Sequence, residues 1–251
     1  MNHSKKVHVT FPVLNEEAQL EVSILETLQF CEANQIENFE LCIADNGSTD
    51  RTESIGRNLH SRFNKVKYIR LHKRGFGLAL KGAWSQGQAD YVGYMDLDLS
   101  TDLKYFKQVY DLIQQGEEYT LILGSRLKRG AKVEKRTLLR EIISRCFNFW
   151  LRLNLQVGFT DGMCGFKFVE KSFYDRLASR FEFTDEWFFA TELAVRGEWM
   201  GAKMLDLPVY WVDDPNSKSS ARLLRLIRQY LAGIERLRRE KKRFFAAQGK
   251  L

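Results

Sequence analysis

"DYVGYMDLDLSTD", residues 90–102, runs an apolar segment straight into Asp96 and Asp98, with Asp102 closing the stretch. An apolar run of this length bounded by polar residues reads as a buried strand, and such a strand ends in like charges only where something positive comes to meet them. The same pattern repeats on either side. Toward the N-terminus lie the strand patterns "KVHVTFP", "FELCIAD" and "VKYIRLH", and toward the C-terminus "YTLILGS". Between them stand the helical patterns "EEAQLEVSILETLQFCEAN", "DRTESIGRNLHSRF", "GFGLALKGAWSQG" and "LKYFKQVYDLIQQG". Strands separated by helices imply right-handed crossovers, so the fold class is α/β, a Rossmann-like, mostly parallel sheet with helices on both faces.

In such sheets ligands sit at the carboxyl ends of the strands. The polar signatures collect there: "PVLNEE", "ADNGSTD", "KRGFG", "DLD" and "GSR" follow the five strands in order. Any one of them is ordinary turn or cap chemistry, as "DNGSTD" is with Asn46-Gly47 turning and Ser48 or Asp50 capping; five in succession point at one crevice. Asp96 and Asp98 lie two apart and converge at a strand end. Two carboxylates beside a phosphate-bearing ligand suit Mg²⁺ or Mn²⁺, whereas Ser100, Thr101 and Asp102 are accounted for as the start of the next helix.

Past Arg126 the alternation stops. A basic loop, "RLKRGAKVEKR", leads into a long helix over about Thr137 to Leu155 with a wide apolar surface. "DGMCGFKFV" and "AKMLDLPVYWV" read as further strands, with a helix over "DEWFFATELAVRG" between them. A basic amphipathic helix spans about Ser219 to Phe245. The organisation expected is a body over 1–217, with halves of about 1–126 and 127–217, and a tail over 218–251.

Charge is distributed accordingly. From Lys218 to Leu251 eleven basic residues face Glu235 and Glu240, a net +9 in a chain of +7, which leaves the first 217 residues at −2. The tail reads as a helix lying on an anionic membrane surface or packed on the domain. It carries no interleaved aromatic and basic stacking motif, so no nucleic acid is expected as partner. Cys31, Cys42, Cys146 and Cys164 are dispersed, which argues against a zinc site or disulfide framework and for a reduced, cytoplasmic setting. No apolar run approaches the ~18 residues of a membrane span, so any membrane association is peripheral.

"FPVLNEE", "IADNGSTDRT", "RGFGLALKGAW", "DLDLSTD" and "GSR", in this order, resemble the nucleotide-sugar-binding half of inverting glycosyltransferases of the GT-A fold. "REIISRCFNFW", "TDGMCGFKFV", "TEL" and "LPVYWVDDPNSKSS" are similar to the enzymes that load a sugar onto dolichyl or other polyprenyl phosphate, over about residues 6–222. The resemblance implies that Pro12, Asn15, Glu16 and Gly75 shape the nucleotide pocket and that Asp45 contacts base or ribose. It implies Asp96 and Asp98 as the metal-holding pair on the donor's diphosphate. Arg126, Arg140 and Ser144 match positions that grip the acceptor phosphate, and Asp161 and Lys167 match active-site positions; Asp98, Asp161 and Arg126 are the catalytic candidates. Two departures stand out. Ala190 occupies the place of an aspartate two residues before Glu192, which leaves the role of Glu192 open, and Asp102 replaces a frequent proline.

The expected reaction is metal-dependent transfer from a nucleotide sugar to a polyprenyl phosphate at the membrane surface. A hydroxyl acceptor needs a general base, whereas a phosphate with a second pKa of ~6 is already ionised and needs positioning, which arginines supply. Two alternatives stay open at this point: a soluble glycosyltransferase using Asp161 on a hydroxyl acceptor, and a basic binding module without catalysis.

Overall fold

Strand β1 (Val7–Val13) lies inside the main sheet, and its residues are buried apart from a half-buried Pro12. A computed structural model describes residues 4–213 and 223–247. Helix α1 (Leu20–Ala33), β2 (Phe39–Asp45), α2 (Thr52–Arg62), β3 (Val66–Arg70), α3 (Phe76–Gln86), β4 (Tyr91–Met95), α4 (Lys104–Gln114) and β5 (Leu121–Ser125) then follow as the alternation implies. Pro12 fits a central strand because β4 accompanies β1 only over Val7–Thr10, so beyond Thr10 the β4 side has no ladder to interrupt.

The second half departs from simple winding. Its elements are β6 (Lys132–Glu134), α5 (Leu138–Leu155), β7 (Phe166–Glu170), α6 (Lys171–Arg180), α7 (Phe189–Trp199), β8 (Met204–Pro208), β9 (Tyr210–Val212) and α8 (Leu223–Ala246). The main sheet has the order β3-β2-β1-β4-β7-β5-β8, and β7 runs antiparallel between β4 and β5. Strand β6, which the basic loop hid, pairs with β9 in a second sheet of two strands. Helix α6 was also not apparent from the sequence, although Phe173, Tyr174 and Leu177 give it a buried face.

Two apolar layers cover the sheet. Leu20 and Ile24 of α1, Leu59 of α2 and Phe106 and Val109 of α4 pack on one side. Leu80 and Trp84 of α3, Leu151 of α5, Leu193 of α7 and Leu237 of α8 pack on the other. Much of the apolar face of the C-terminal helix is spent on the body: Ile234, Leu237 and Phe244 are buried, and Tyr230 meets the rings of Phe147 and Phe188, whereas Leu231 is exposed. Residues 214–222, which include most of the "DDPNSKSS" stretch and Lys218, lie outside the described residues, as does Lys250.

Candidate functional site

The strand order reverses between β1 and β4, and the loops after β1, β2 and β3 are hydrogen-bonded to one another beside this point. Asn15 takes a left-handed backbone (φ 57°), its N–H donates to Ser48 Oγ at 2.9 Å, and its Oδ1 accepts from Thr49 N at 2.8 Å. Glu16 N donates to Thr52 Oγ1. These bonds tie the first two loops into one wall, with Pro12 just beneath. Asp45, fully buried, accepts from Ser48 N at 2.8 Å and from Tyr68 Oη at 2.7 Å, and it pairs with Arg70. Its carboxylate shapes the turn that forms this wall. Gly75 opens α3, and a Cβ there would come within 2.6 Å of the Asp185 carbonyl oxygen, so its bareness serves the packing of the 184–185 loop.

At the end of β4 the acidic stretch divides. Asp102 Oδ1 accepts from Lys104 N at 2.9 Å and so starts α4, whereas Ser100 and Thr101 do not cap it: Ser100 O accepts from Val212 N, and Thr101 bridges to Trp211. The expected three-residue cap is thus Asp102 alone. Asp98 is exposed, with Oδ1 accepting from Ser100 N, and Leu99 between the two sites holds φ 52°, a costly conformation for a leucine. Asp96 points into a cradle left by Gly165, where any Cβ would collide with its carboxylate. No described donor reaches that carboxylate. Burial, and then the charge of Asp98, push Asp96 up to about 7, with Arg126 and Lys167 opposing. An orphaned carboxylate beside a second one fits a hard divalent cation. Among the described residues no three His, Cys, Asp or Glu form a metal-holding group, so the pair would need water or a ligand's oxygens to complete the shell.

A titration follows. Asp96 binds its proton more tightly folded than unfolded, so the stability it confers is present below its unfolded value near 3.8 and is lost as pH rises through about 7. In a chelator, the urea midpoint is expected to fall between pH 5 and 8 and to recover on adding Mn²⁺; Asp96→Asn is expected to flatten the profile. A wild-type slope retained in Asp96→Asn would assign it to another group.

On the other side of β4 the arginines gather. Arg126 lies at the end of β5 with its fork closed on Asp161, Nε to Oδ2 at 2.8 Å and Nη2 to Oδ1 at 3.1 Å, and its guanidinium stacks on Trp211 at 4.9 Å. Asp161 is fully buried and also accepts from Met163 N. Burial alone would raise its pKa, but the Arg126 charge wins and holds it well below the usual carboxylate range. Lys167, also fully buried, donates to Cys164 O. Thr137 Oγ1 accepts from Arg140 N and caps α5, which brings Arg140 and the buried Ser144 to the same side. The basic loop, expected from the sequence to supply cationic groups for a phosphate, contributes Arg136. It lies within 3.4 Å of Glu141 and 3.8 Å of Asp213, while Arg140 lies 3.7 Å from Asp213.

Glu192 belongs to another task. It is fully buried in α7, accepts from Thr184 N at 2.8 Å, and pairs with Arg196 and with Arg236 of α8. Arg196 in turn forks onto Glu240 at 2.9 and 2.8 Å. Glu192 is a clasp for the C-terminal helix, which accounts for a glutamate here without the aspartate that Ala190 replaces.

Residues 9–178 match the family model of Glycosyl transferase family 2. Glycosyltransferase AglD of Haloferax volcanii is 29% identical over 222 residues, covering 88% of this chain and 35% of AglD, so the chain spans about a third of that relative. The dolichyl-phosphate beta-glucosyltransferase of Homo sapiens is 25% identical over 260 residues, covering 95% of this chain and 80% of that one. The crystal structure of glucosyl-3-phosphoglycerate synthase from Mycobacterium tuberculosis with UDP superposes with a TM-score of 0.68 at 18% identity, covering 92% and 79% of the two chains. At that identity the likeness is one of fold, the GT-A fold.

Proposed function

Because the chain belongs to glycosyl transferase family 2 and is a glycosyltransferase, we propose that it moves a sugar from a nucleotide sugar to a polyprenyl phosphate, inverting the anomeric carbon. The observation that carries the choice of acceptor is the state of Asp161. Its carboxylate is ionised, held well below the usual range and occupied by Arg126, so it makes a poor general base for a hydroxyl. A phosphate needs no base. Its oxygen forms the new bond to the anomeric carbon as the bond to the donor's diphosphate breaks, and the nucleoside diphosphate leaves with the electron pair. Arg126, Arg140 and Ser144 orient the incoming phosphate, and Pro12, Asn15, Glu16, Asp45 and Gly75 form the donor wall. Asp96 and Asp98 would hold Mg²⁺ or Mn²⁺, which as a Lewis acid offsets charge on the leaving diphosphate. The body over 1–217 thus divides into a donor half, about 1–126, and an acceptor half, with 218–251 as an accessory tail.

Relatives named for dolichyl-phosphate glucosyl transfer and fold neighbours crystallised with UDP-glucose and Mn²⁺ make those the first ligands to test. Supplied with UDP-glucose, Mn²⁺ and a polyprenyl phosphate, the purified chain is expected to make a lipid-soluble, acid-labile glycosyl phosphate. Transfer to polysaccharide hydroxyls with none to the lipid would favour the soluble alternative.

No helix among the described residues is long and apolar enough to cross a membrane. Contact with a lipid acceptor falls to a surface, and α5 supplies one: Leu138, Leu139, Ile142, Phe149, Trp150 and Leu153 are 47–76% exposed. Arg145 and Arg152 interrupt this stripe, and α8 lies alongside with Lys241 bonded to Leu155 O, adding its exposed basic side. An anionic membrane surface fits that mixture of apolar and cationic side chains. The double variant Leu139→Glu/Trp150→Glu is expected to lose most co-sedimentation with phosphatidylglycerol vesicles, by roughly tenfold or more, since each change removes apolar burial and adds repulsion. Unchanged co-sedimentation would remove α5 from the membrane contact.

A further inference from the structure

The acceptor side contains polar atoms that are buried and yet unused: Arg136 Nε and Nη1, Asp213 Oδ2, Ser144 Oγ and Thr101 Oγ1 have no hydrogen-bond partner among the described residues. Buried polar groups are ordinarily satisfied, so a cluster of orphans asks for a missing ligand. The chemistry of that ligand can be read from the donors. The Arg136 side chain is 9% exposed, burial and then the nearby Arg126 charge both lower its pKa, and Arg140 joins it across Asp213. An anion with several oxygens would satisfy the Arg136 nitrogens together, while Asp213 Oδ2, itself an acceptor, would be displaced rather than satisfied by it.

A carboxylate already stands among them. Asp213 follows β9, with its N–H donating to Glu134 O at 3.0 Å and its Oδ1 accepting from Trp211 Nε1 at 3.1 Å. From this perch it faces Arg136 at 3.8 Å and Arg140 at 3.7 Å. Those ion pairs are too long to be charge-assisted hydrogen bonds, which close at ~2.7–2.9 Å, so Asp213, together with Glu141 at 3.4 Å, offsets the charge of Arg136 without saturating its Nε and Nη1. The contrast with Arg126 is direct: its Nε and Nη2 are already hydrogen-bonded to Asp161.

We propose that Asp213 is a carboxylate placeholder in the acceptor-phosphate subsite, and that Arg136, together with Arg140, changes partner from Asp213 to the acceptor's phosphate when that acceptor binds. Arg136 thereby becomes a phosphate ligand beyond Arg126, Arg140 and Ser144. The device keeps the nearly buried guanidinium of Arg136 compensated in the empty protein, where an unpaired charge would be costly. It also charges a fee on binding, because the phosphate must displace a carboxylate. The inference rests on the reading that the acceptor is a polyprenyl phosphate.

The test compares wild type, Asp213→Asn, Asp213→Ser, Arg136→Gln and the Asp213→Asn/Arg136→Gln double variant. Citronellyl phosphate serves as the short-chain acceptor, read both by transfer kinetics and by calorimetric binding. Asp213→Asn keeps the shape of the side chain and is expected to lower acceptor KM and Kd by roughly three- to fivefold, the range of a loose ion pair, with donor KM unmoved. Arg136→Gln is expected to raise both by roughly ten- to a hundredfold, as for lost hydrogen bonds to a charged group. In the double variant the gain from Asp213→Asn is expected to vanish. Asp213→Ser checks the sign should the asparagine perturb Trp211. If wild type transfers sugar to citronellyl phosphate but neither Asp213 variant binds it more tightly, or if the gain persists without Arg136, the placeholder is overturned and the acceptor reading stands. If wild type neither binds nor glycosylates it, the acceptor reading itself fails and takes the placeholder with it.

Discussion

Asp98→Ala is expected to lower kcat with a nucleotide-sugar donor by about a thousandfold or more, in line with the several kcal/mol that a bound cation lends to a departing charged group. The urea midpoint is expected to stay near that of wild type. Asp98 is exposed and its one hydrogen bond among the described residues is local, from Ser100 N, so little of the fold depends on it. Asp102→Ala supplies the contrast within the same stretch. It removes the bond to Lys104 N that starts α4, at a cost of about 1 kcal/mol, and is expected to retain turnover. Equal loss of turnover in both variants would show that the acidic stretch acts as one unit.

Asp161→Ala is expected to reduce folding free energy by about 3–5 kcal/mol, the cost of leaving a buried charge without its partner. Arg126, with a side chain 10% exposed, would keep its desolvation penalty and lose two side-chain hydrogen bonds and one from its backbone N–H together with the opposing charge. The loss should appear in urea as a lower midpoint with an unchanged m-value. Turnover should fall as well, since Arg126 would no longer be held against Trp211 beside the acceptor. A variant as stable as wild type would mean that Arg126 has another anchor.

Legibility in the sequence followed the range of the interactions. The alternation of "KVHVTFP", "FELCIAD" and "DYVGYMD" with amphipathic segments is local, because a residue's face follows from its place in a period of two or of 3.6. The polar strand ends were equally local, so Asn15, Asp45 and Asp96 could be assigned to the carboxyl ends of successive strands from the sequence alone. The antiparallel insertion of β7 did not, since nothing within "GFKFV" says which way it runs between β4 and β5. Strand β6 stayed hidden because three residues in a basic loop acquire strand character only from pairing with β9, some 78 residues further on.

Charge partners behaved in the same way. By itself the sequence determined an α/β glycosyltransferase architecture, the acidic pair, the collected strand ends and a concentration of basic residues in the tail. Tertiary structure decided how those charges are spent. Arg126 closes on Asp161 across 35 residues, Glu192 clasps Arg236 across 44, and Arg136 and Arg140 meet Asp213 from over 70 residues away. An ionised side chain has no preferred sequence separation; its partner is whichever opposite charge the packed sheet brings within a few ångströms, and burial then sets what that pairing is worth.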